Sequence, residues 1–225
     1  MRLLHALAAA FLPDDRLHPK IKGTRHMQFG VHSLVWNDAQ ETLDIEFGME
    51  RAKAAGYSFF ELPGINRGSV DIARIARTAQ SLEIELGASC GLAPEYDVSS
   101  DDPAVVKAGE AVLNEAVSIA RDLGSKGMSG PIFSGHQKYR VMPTQKNWDT
   151  SVAVLTRVAE KAQAAGVALS LELVNRYETN LMNTVKQGLA YIARPCRACC
   201  GNCLAARSGH VKARLFRRRG QEASA

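Results

Sequence analysis

Strand-like and helix-like stretches alternate along this chain at a regular spacing, and that alternation restricts its fold more than any other feature. Between residues 27 and 193 five extended apolar stretches occur: Gln28–Val35, Ser58–Leu62, Glu85–Cys90, Gly127–Phe133 and Val167–Val174. Each precedes a stretch with apolar residues at helical spacing. These are Asp44–Ala55 with Ile45, Met49 and Ala52, Val70–Leu82 with Ile72, Ile75, Ala76 and Ala79, a helix opened by Asp101-Asp102-Pro103 and running to Leu123, Trp148–Ala165, and Thr184–Ala193. Gly56, Gly124 and Gly166 close three of the helices just before the next strand, as residues beyond a helix C-terminus often do.

Strands that alternate with helices imply a parallel sheet with right-handed crossovers. Two architectures compete, an open doubly wound sheet and a (β/α)8 barrel. Five strands alone favour the open sheet, yet no G-x-G-x-x-G or P-loop follows any of them. The repeat of about 33 residues, taken eight times, gives roughly 265, close to the ~250 of a typical barrel. The expected fold is therefore α/β, a partial (β/α)8 TIM barrel of about five βα units with irregular N- and C-terminal extensions. Its expected parts are an extension at 1–26, the incomplete barrel at 27–193, and a Cys/Arg-rich tail at 194–225.

Composition supports that partition. With 225 residues and 46% apolar, the chain is neither disordered nor a disulfide-stapled miniprotein. Its net charge of +5 belongs to the ends: residues 1–26 hold five Lys+Arg against two Asp+Glu, 27–193 hold 15 against 20, and 194–225 hold eight against one. The acidic middle argues against a nucleic-acid-binding body. No apolar run reaches the 18 or so residues of a membrane span. Arg2 and Leu3–Leu12 have the outline of a signal peptide, but Pro13-Asp14-Asp15 follows without a small-x-small cleavage site. An upstream extension with Met27 opening the domain is the simpler reading, and the unpaired Cys90 points to the cytoplasm.

Polar residues cluster just beyond the carboxyl ends of the strands: His32 and Trp36, Glu61 and Asn66, Glu95 and Tyr96, His136, then Glu172, Asn175, Arg176 and Glu178. In barrels this is the face where sites are built. Glu172 is the most informative, because a carboxylate between Leu171 and Leu173 must be paired, protonated or bound to a cation. The alternative is that it turns outward and is salt-bridged to the helix layer.

Leu171-Glu172-Leu173-Val174-Asn175-Arg176-Tyr177-Glu178 resembles the fifth-strand motif of the ketose 3-epimerases, within the xylose isomerase-like TIM-barrel superfamily of sugar isomerases and epimerases. Cys90-Gly91-Leu92, Glu95-Tyr96-Asp97, Ser100-Asp101-Asp102 and Ala108-Gly109 resemble the same family after its third strand, and Phe133-Ser134-Gly135 where its fourth strand ends. The resemblance covers about residues 27–193. It implies that Glu172 is a metal ligand and one of two acid/base carboxylates, and that Glu178 hydrogen-bonds sugar hydroxyls. It also implies a divalent cation (Mn2+, Co2+ or Mg2+), a small ketose as partner, and C3 inversion through an enediolate. Trp36 and the loop at Gly135 are expected to line the sugar pocket, with ordinary rim packing as the alternative for Trp36.

The family completes its metal site on strands six to eight, and no such residues can be placed here. After Ala193 the periodicity stops, and His210 stands with no strand around it. Cys196-x-x-Cys199 abuts Cys200-x-x-Cys203, whereas zinc ribbons separate such pairs by about 15–20 residues. A reading frame lost near residue 194 is the expectation. It implies a chain cut short after its fifth unit, weak or absent turnover, poor solubility from bare edges at the first and fifth strands, and an open question between monomer and homo-oligomer. The other class of function is a non-catalytic partial barrel whose Cys-rich basic tail, with Arg217-Arg218-Arg219, binds metal or nucleic acid.

Overall fold

The computed structural model describes residues 28–36 and 41–193 in full and the backbone of Leu204–Ser208 and Val211–Ala213. The expected βα alternation is present. β1 (Gly30–His32) leads through a 3-10 turn (Ser33–Val35) to α1 (Thr42–Ala54), and β2 (Phe59–Leu62) leads to α2 (Ile72–Ser81). β3 (Glu85–Ser89) and a 3-10 turn (Pro94–Tyr96) precede α3 (Pro103–Asp122). β4 (Gly127–Gly130) precedes α4 (Gln145–Ala164), and β5 (Ala168–Leu173) precedes α5 (Val185–Ala193). Two short strands follow, β6 (Leu204–Ser208) and β7 (Val211–Ala213).

Strand order decides between the two architectures. The sheet runs β1-β2-β3-β4-β5-β6-β7 with no reversal, and β1 to β6 are parallel. A doubly wound sheet reverses its order at a switch point and places helices on both faces. Right-handed crossovers that always step the same way place every helix on one face, which is the winding of a (β/α) barrel.

The core follows from strand alternation. Phe60 and Leu62 of β2, Leu86 of β3, Met128 of β4 and Leu169, Leu171 and Leu173 of β5 are buried against the helices. They form two clusters, one with Ile45, Met49, Ile75 and Ala79 of α1 and α2, the other with Leu113, Val117, Val154, Leu155 and Val158 of α3 and α4. The alternate residues, among them His32, Glu61, Ser89, Ser129, Ser170 and Glu172, belong to the opposite, inner face. β4 is shorter than its apolar run because Gly130 takes φ +145, where a Cβ would collide with the Cys90 carbonyl. Only glycine fits this turn.

The tail departs from expectation. Residues 204–208 extend the sheet alongside β5, and 211–213 pair with β6 antiparallel. His210 and the four tail cysteines lie outside the described residues. The physical reason for the extra strands is the edge of β5 itself: its unpaired N–H and C=O groups accept an extended segment of modest apolarity. β5 is thus not a bare edge, whereas β1 pairs only with β2 among the described strands. No helix among the described residues is long and apolar enough to cross a membrane.

Candidate active site

The carboxyl ends of β3, β4 and β5 converge through their loops, and one buried carboxylate organises them. Asp97, 5% exposed, lies in the loop after β3. Its Oδ1 accepts hydrogen bonds from the Ser99 backbone (2.8 Å), the Ser99 hydroxyl (2.6 Å) and the Gly135 backbone N–H (3.0 Å). The Tyr139 hydroxyl donates to its Oδ2 at 2.6 Å. Burial and the carboxylate together push the Tyr139 hydroxyl well above the usual tyrosine range, so it stays a donor. Gly135 is held tightly here: a Cβ would stand 3.0 Å from the Asp97 Cβ and 3.2 Å from the Pro94 Cα.

The β4 and β5 loops are joined directly. Ser134 and Thr179, both buried, share a hydroxyl–hydroxyl hydrogen bond of 2.6 Å. The Gln137 N–H donates to the Glu178 carbonyl at 2.8 Å. Glu178 Oε1 meets His136 Nε2 at 3.1 Å, while Oε2 accepts from the side-chain and backbone N–H of Asn175. Glu178 is thereby held by groups from two loops, with about a third of its side chain facing solvent. Gly135, bonded to Asp97, and Glu178, bonded to His136 beside it, thus lie in one hydrogen-bonded frame.

Glu172 lies at the carboxyl end of β5 on the inner face, half-buried, while Leu171 and Leu173 beside it turn to the helices. The alternative of an outward, salt-bridged Glu172 does not hold: the helix layer takes the odd-numbered residues. Among the described residues no side chain pairs with it. Glu61 occupies the same face on β2. On β1 the Leu34 N–H donates to His32 Nδ1 at 3.1 Å, and His32 Nε2 lies 3.4 Å from the Ser89 hydroxyl. That hydroxyl donates in turn to the Leu62 carbonyl at 3.1 Å. The Trp36 ring lies 6.2 Å from the Phe60 ring and is partly buried against the cluster of α1 and α2.

The cation that the resemblance implies needs several oxygen or nitrogen ligands around Glu172. Nowhere among the described residues do three His, Cys, Asp or Glu side chains gather so as to hold a metal ion. The position level with Glu172 on β6 is Arg207, and level with Arg207 on β7 is Lys212. The described residues do not fit the ion. Cys90 is no substitute ligand, since burial pushes its thiol up to about 11.

Sequence reasoning missed Asp97 and Tyr139 as organising residues. The available signal was the Asp97-x-Ser99 spacing, the pattern of an aspartate that caps its own turn.

A singly wound parallel sheet with carboxylates at its strand ends defines the class: an incomplete (β/α) barrel whose candidate site lies where barrels of this architecture build theirs. The family model of the xylose isomerase-like TIM barrel matches residues 49–205. The chain belongs to this family, and the match runs past Ala193 into β6. It is 39% identical over 165 residues to an L-ribulose 3-epimerase of Mesorhizobium japonicum, covering 73% of this chain and 56% of that protein. It is 41% identical over 170 residues to a ketose 3-epimerase of Arthrobacter globiformis, covering 74% and 57%. A solved structure of an L-ribulose 3-epimerase superposes with a TM-score of 0.76 at 36% identity, over 81% of this chain and 60% of that one. The resemblance to the ketose 3-epimerases is borne out by these relatives. The chain spans somewhat over half the length of the curated relatives it matches.

Proposed function

We propose that the barrel represented by this chain inverts C3 of a small ketose, with Glu172 as a proton-transferring carboxylate and Glu178 as an acceptor for sugar hydroxyls. The observation that carries this reading is Glu172 itself: a carboxylate on the inner face, at the carboxyl end of β5, without a partner among the described residues. Its support is the company of relatives named as 3-epimerases of ketoses.

The chemistry follows from these groups. A C3 proton next to a C2 carbonyl is acidified because the carbanion is delocalised as an enediolate. Glu172 takes that proton, and return of a proton to C3 from the other face gives the epimer. Glu178, oriented by His136 and Asn175, fixes the sugar by accepting its hydroxyl hydrogens. The Asp97 frame holds the loops in place while this happens. Because the described residues do not complete a cation site, the chain by itself turns ketoses over weakly or not at all. A cytoplasmic setting accords with the free, buried Cys90 thiol.

A chimera tests the reading. Residues 28–193 are joined to the remaining part of the Arthrobacter globiformis ketose 3-epimerase, and interconversion of ketose C3 epimers is followed by chromatography. The folded chimera is expected to epimerise, Glu172→Gln to abolish turnover, and Glu178→Gln to raise KM more than it lowers kcat. A folded chimera in which Glu172→Gln leaves the rate unchanged overturns the reading.

A further inference from the structure

We propose that a cavity on the helix side of β3 is a binding site for a small neutral molecule with an apolar ring body and one hydroxyl group. The cavity measures about 370 Å3 and lies between the loop after β2, the end of β3 and α3. Ala88 and Met128, level on β3 and β4, line its inner end together with Cys90, and all three are buried. Alternation turns Ala88 and Cys90 away from the inner face, so the sheet separates this cavity from Glu172.

Three observations agree. Small residues leave the space open: Gly64, Ala88, Gly91, Ala93 and Ala116 stand around it. The walls come from both apolar clusters, Cys90 and Met128 from one and Ile65 and Ile119 from the other, so the cavity is the seam at which the core does not close. A void of this size is exceptional in a close-packed interior. At the exposed mouth stand Asn66, Tyr96 and Glu115. Asn66 Oδ1 accepts from the Gly68 N–H and Glu115 Oε1 from Arg67 Nε, which leaves Asn66 Nδ2, Glu115 Oε2 and the Tyr96 hydroxyl without partners among the described residues. An apolar depth with a few polar groups at its opening is how sites for small molecules are built. The volume is at the lower end of such sites, about 300–1,000 Å3, and suits a body of one or two rings. Charge selects a neutral ligand: Arg67 already neutralises Glu115, and the Cys90 thiol inside is pushed up to about 11 by burial and stays uncharged.

The proposal does not use the epimerase reading, and neither result decides the other. The test titrates the full 225-residue chain with 2-naphthol, read by the anisotropy of its fluorescence. The unaltered chain is expected to bind it saturably. Ala116→Trp, which fills the cavity from α3, is expected to weaken binding about tenfold or more, and the smaller filler Ala116→Leu about threefold. Tyr96→Phe, at the exposed mouth, is expected to weaken it about threefold. Naphthalene-2-sulfonate, the same body with an anionic group, is expected to bind about tenfold more weakly than 2-naphthol. No saturable binding by the unaltered chain overturns the proposal. Undiminished binding by Tyr96→Phe, or by a filler variant that still melts cooperatively, does the same, and equal binding of the sulfonate overturns the assignment to a neutral ligand.

Discussion

Asp97 spends a buried carboxylate on four donors, three of them from its own turn and the Gly135 backbone and one from Tyr139. Removing it leaves those donors without their acceptor, at roughly 1–3 kcal/mol for each one that stays dry. Asp97→Ala is therefore expected to lower stability by about 3 kcal/mol or more, and Tyr139→Phe by about 1 kcal/mol, in urea-unfolding midpoints. Equal losses in the two variants would show that Asp97 does not organise the loops. A second consequence at this scale concerns acid. Hydrogen bonding to Arg74, Arg157 and Arg67 holds Glu46, Glu110 and Asp122 below the usual carboxylate range. Carboxylates with lowered native values add stability that is fully present above their unfolded range and is lost as pH falls through the native values. Unfolding midpoints should therefore drop between about pH 5 and pH 3, and the drop should be shallower in Glu46→Gln. An unchanged pH profile for Glu46→Gln would remove that pair from the explanation. Alternation in β5 made Glu172 legible in the sequence as a residue opposed to its leucine neighbours. Which face it took depended on where the helices lie. Asp97 was not legible, because Gly135 and Tyr139 are about forty residues away in the chain and no local pattern ties them to it.

Element boundaries show where local signals suffice and where backbone geometry overrides them. α3 begins where Asp102 and Pro103 announce it: Asp102 accepts from the Ala104 N–H at 2.8 Å, and proline occupies the first turn. α4 starts at Gln145, ahead of the first strong apolar residue, Trp148, because Thr144 and Asn147 close a reciprocal capping box. Thr144→Ala is expected to destabilise the chain by about 1 kcal/mol, with Thr144→Ser retaining most of the stability in thermal unfolding. No difference between the two would mean that the cap contributes little. β1 and β4 are shorter than their apolar runs, the first ended by the 3-10 turn at Ser33 and the second by Gly130. Gly130→Ala has to move backbone against the Cys90 carbonyl, whereas Gly56→Ala, with open space around it, carries only the cost of its positive φ. Gly56→Ala should cost about 1 kcal/mol and Gly130→Ala several-fold more, or leave no cooperative transition. β6 was not legible: Leu204-Ala-Ala-Arg-Ser208 has little strand character, and its pairing follows from the open edge of β5.

At the scale of the whole molecule, the repeat of βα units was legible as a barrel's repeat, and the unreversed strand order is what separates it from a doubly wound sheet. A parallel sheet normally has both faces covered. Here the helices cover one face, and the inner face carries Glu61, Ser129, Ser170 and Glu172. The strand-end frame around Asp97 and Glu178 is complete within the described residues, while the ligands for a cation are not among them. The assay of the 225-residue chain itself, incubated with a ketose and Mn2+ and followed for C3 epimer formation, bears on that statement most directly. No epimer above the protein-free control is expected. Mn2+-dependent formation of the epimer, abolished by Glu172→Gln, would contradict it.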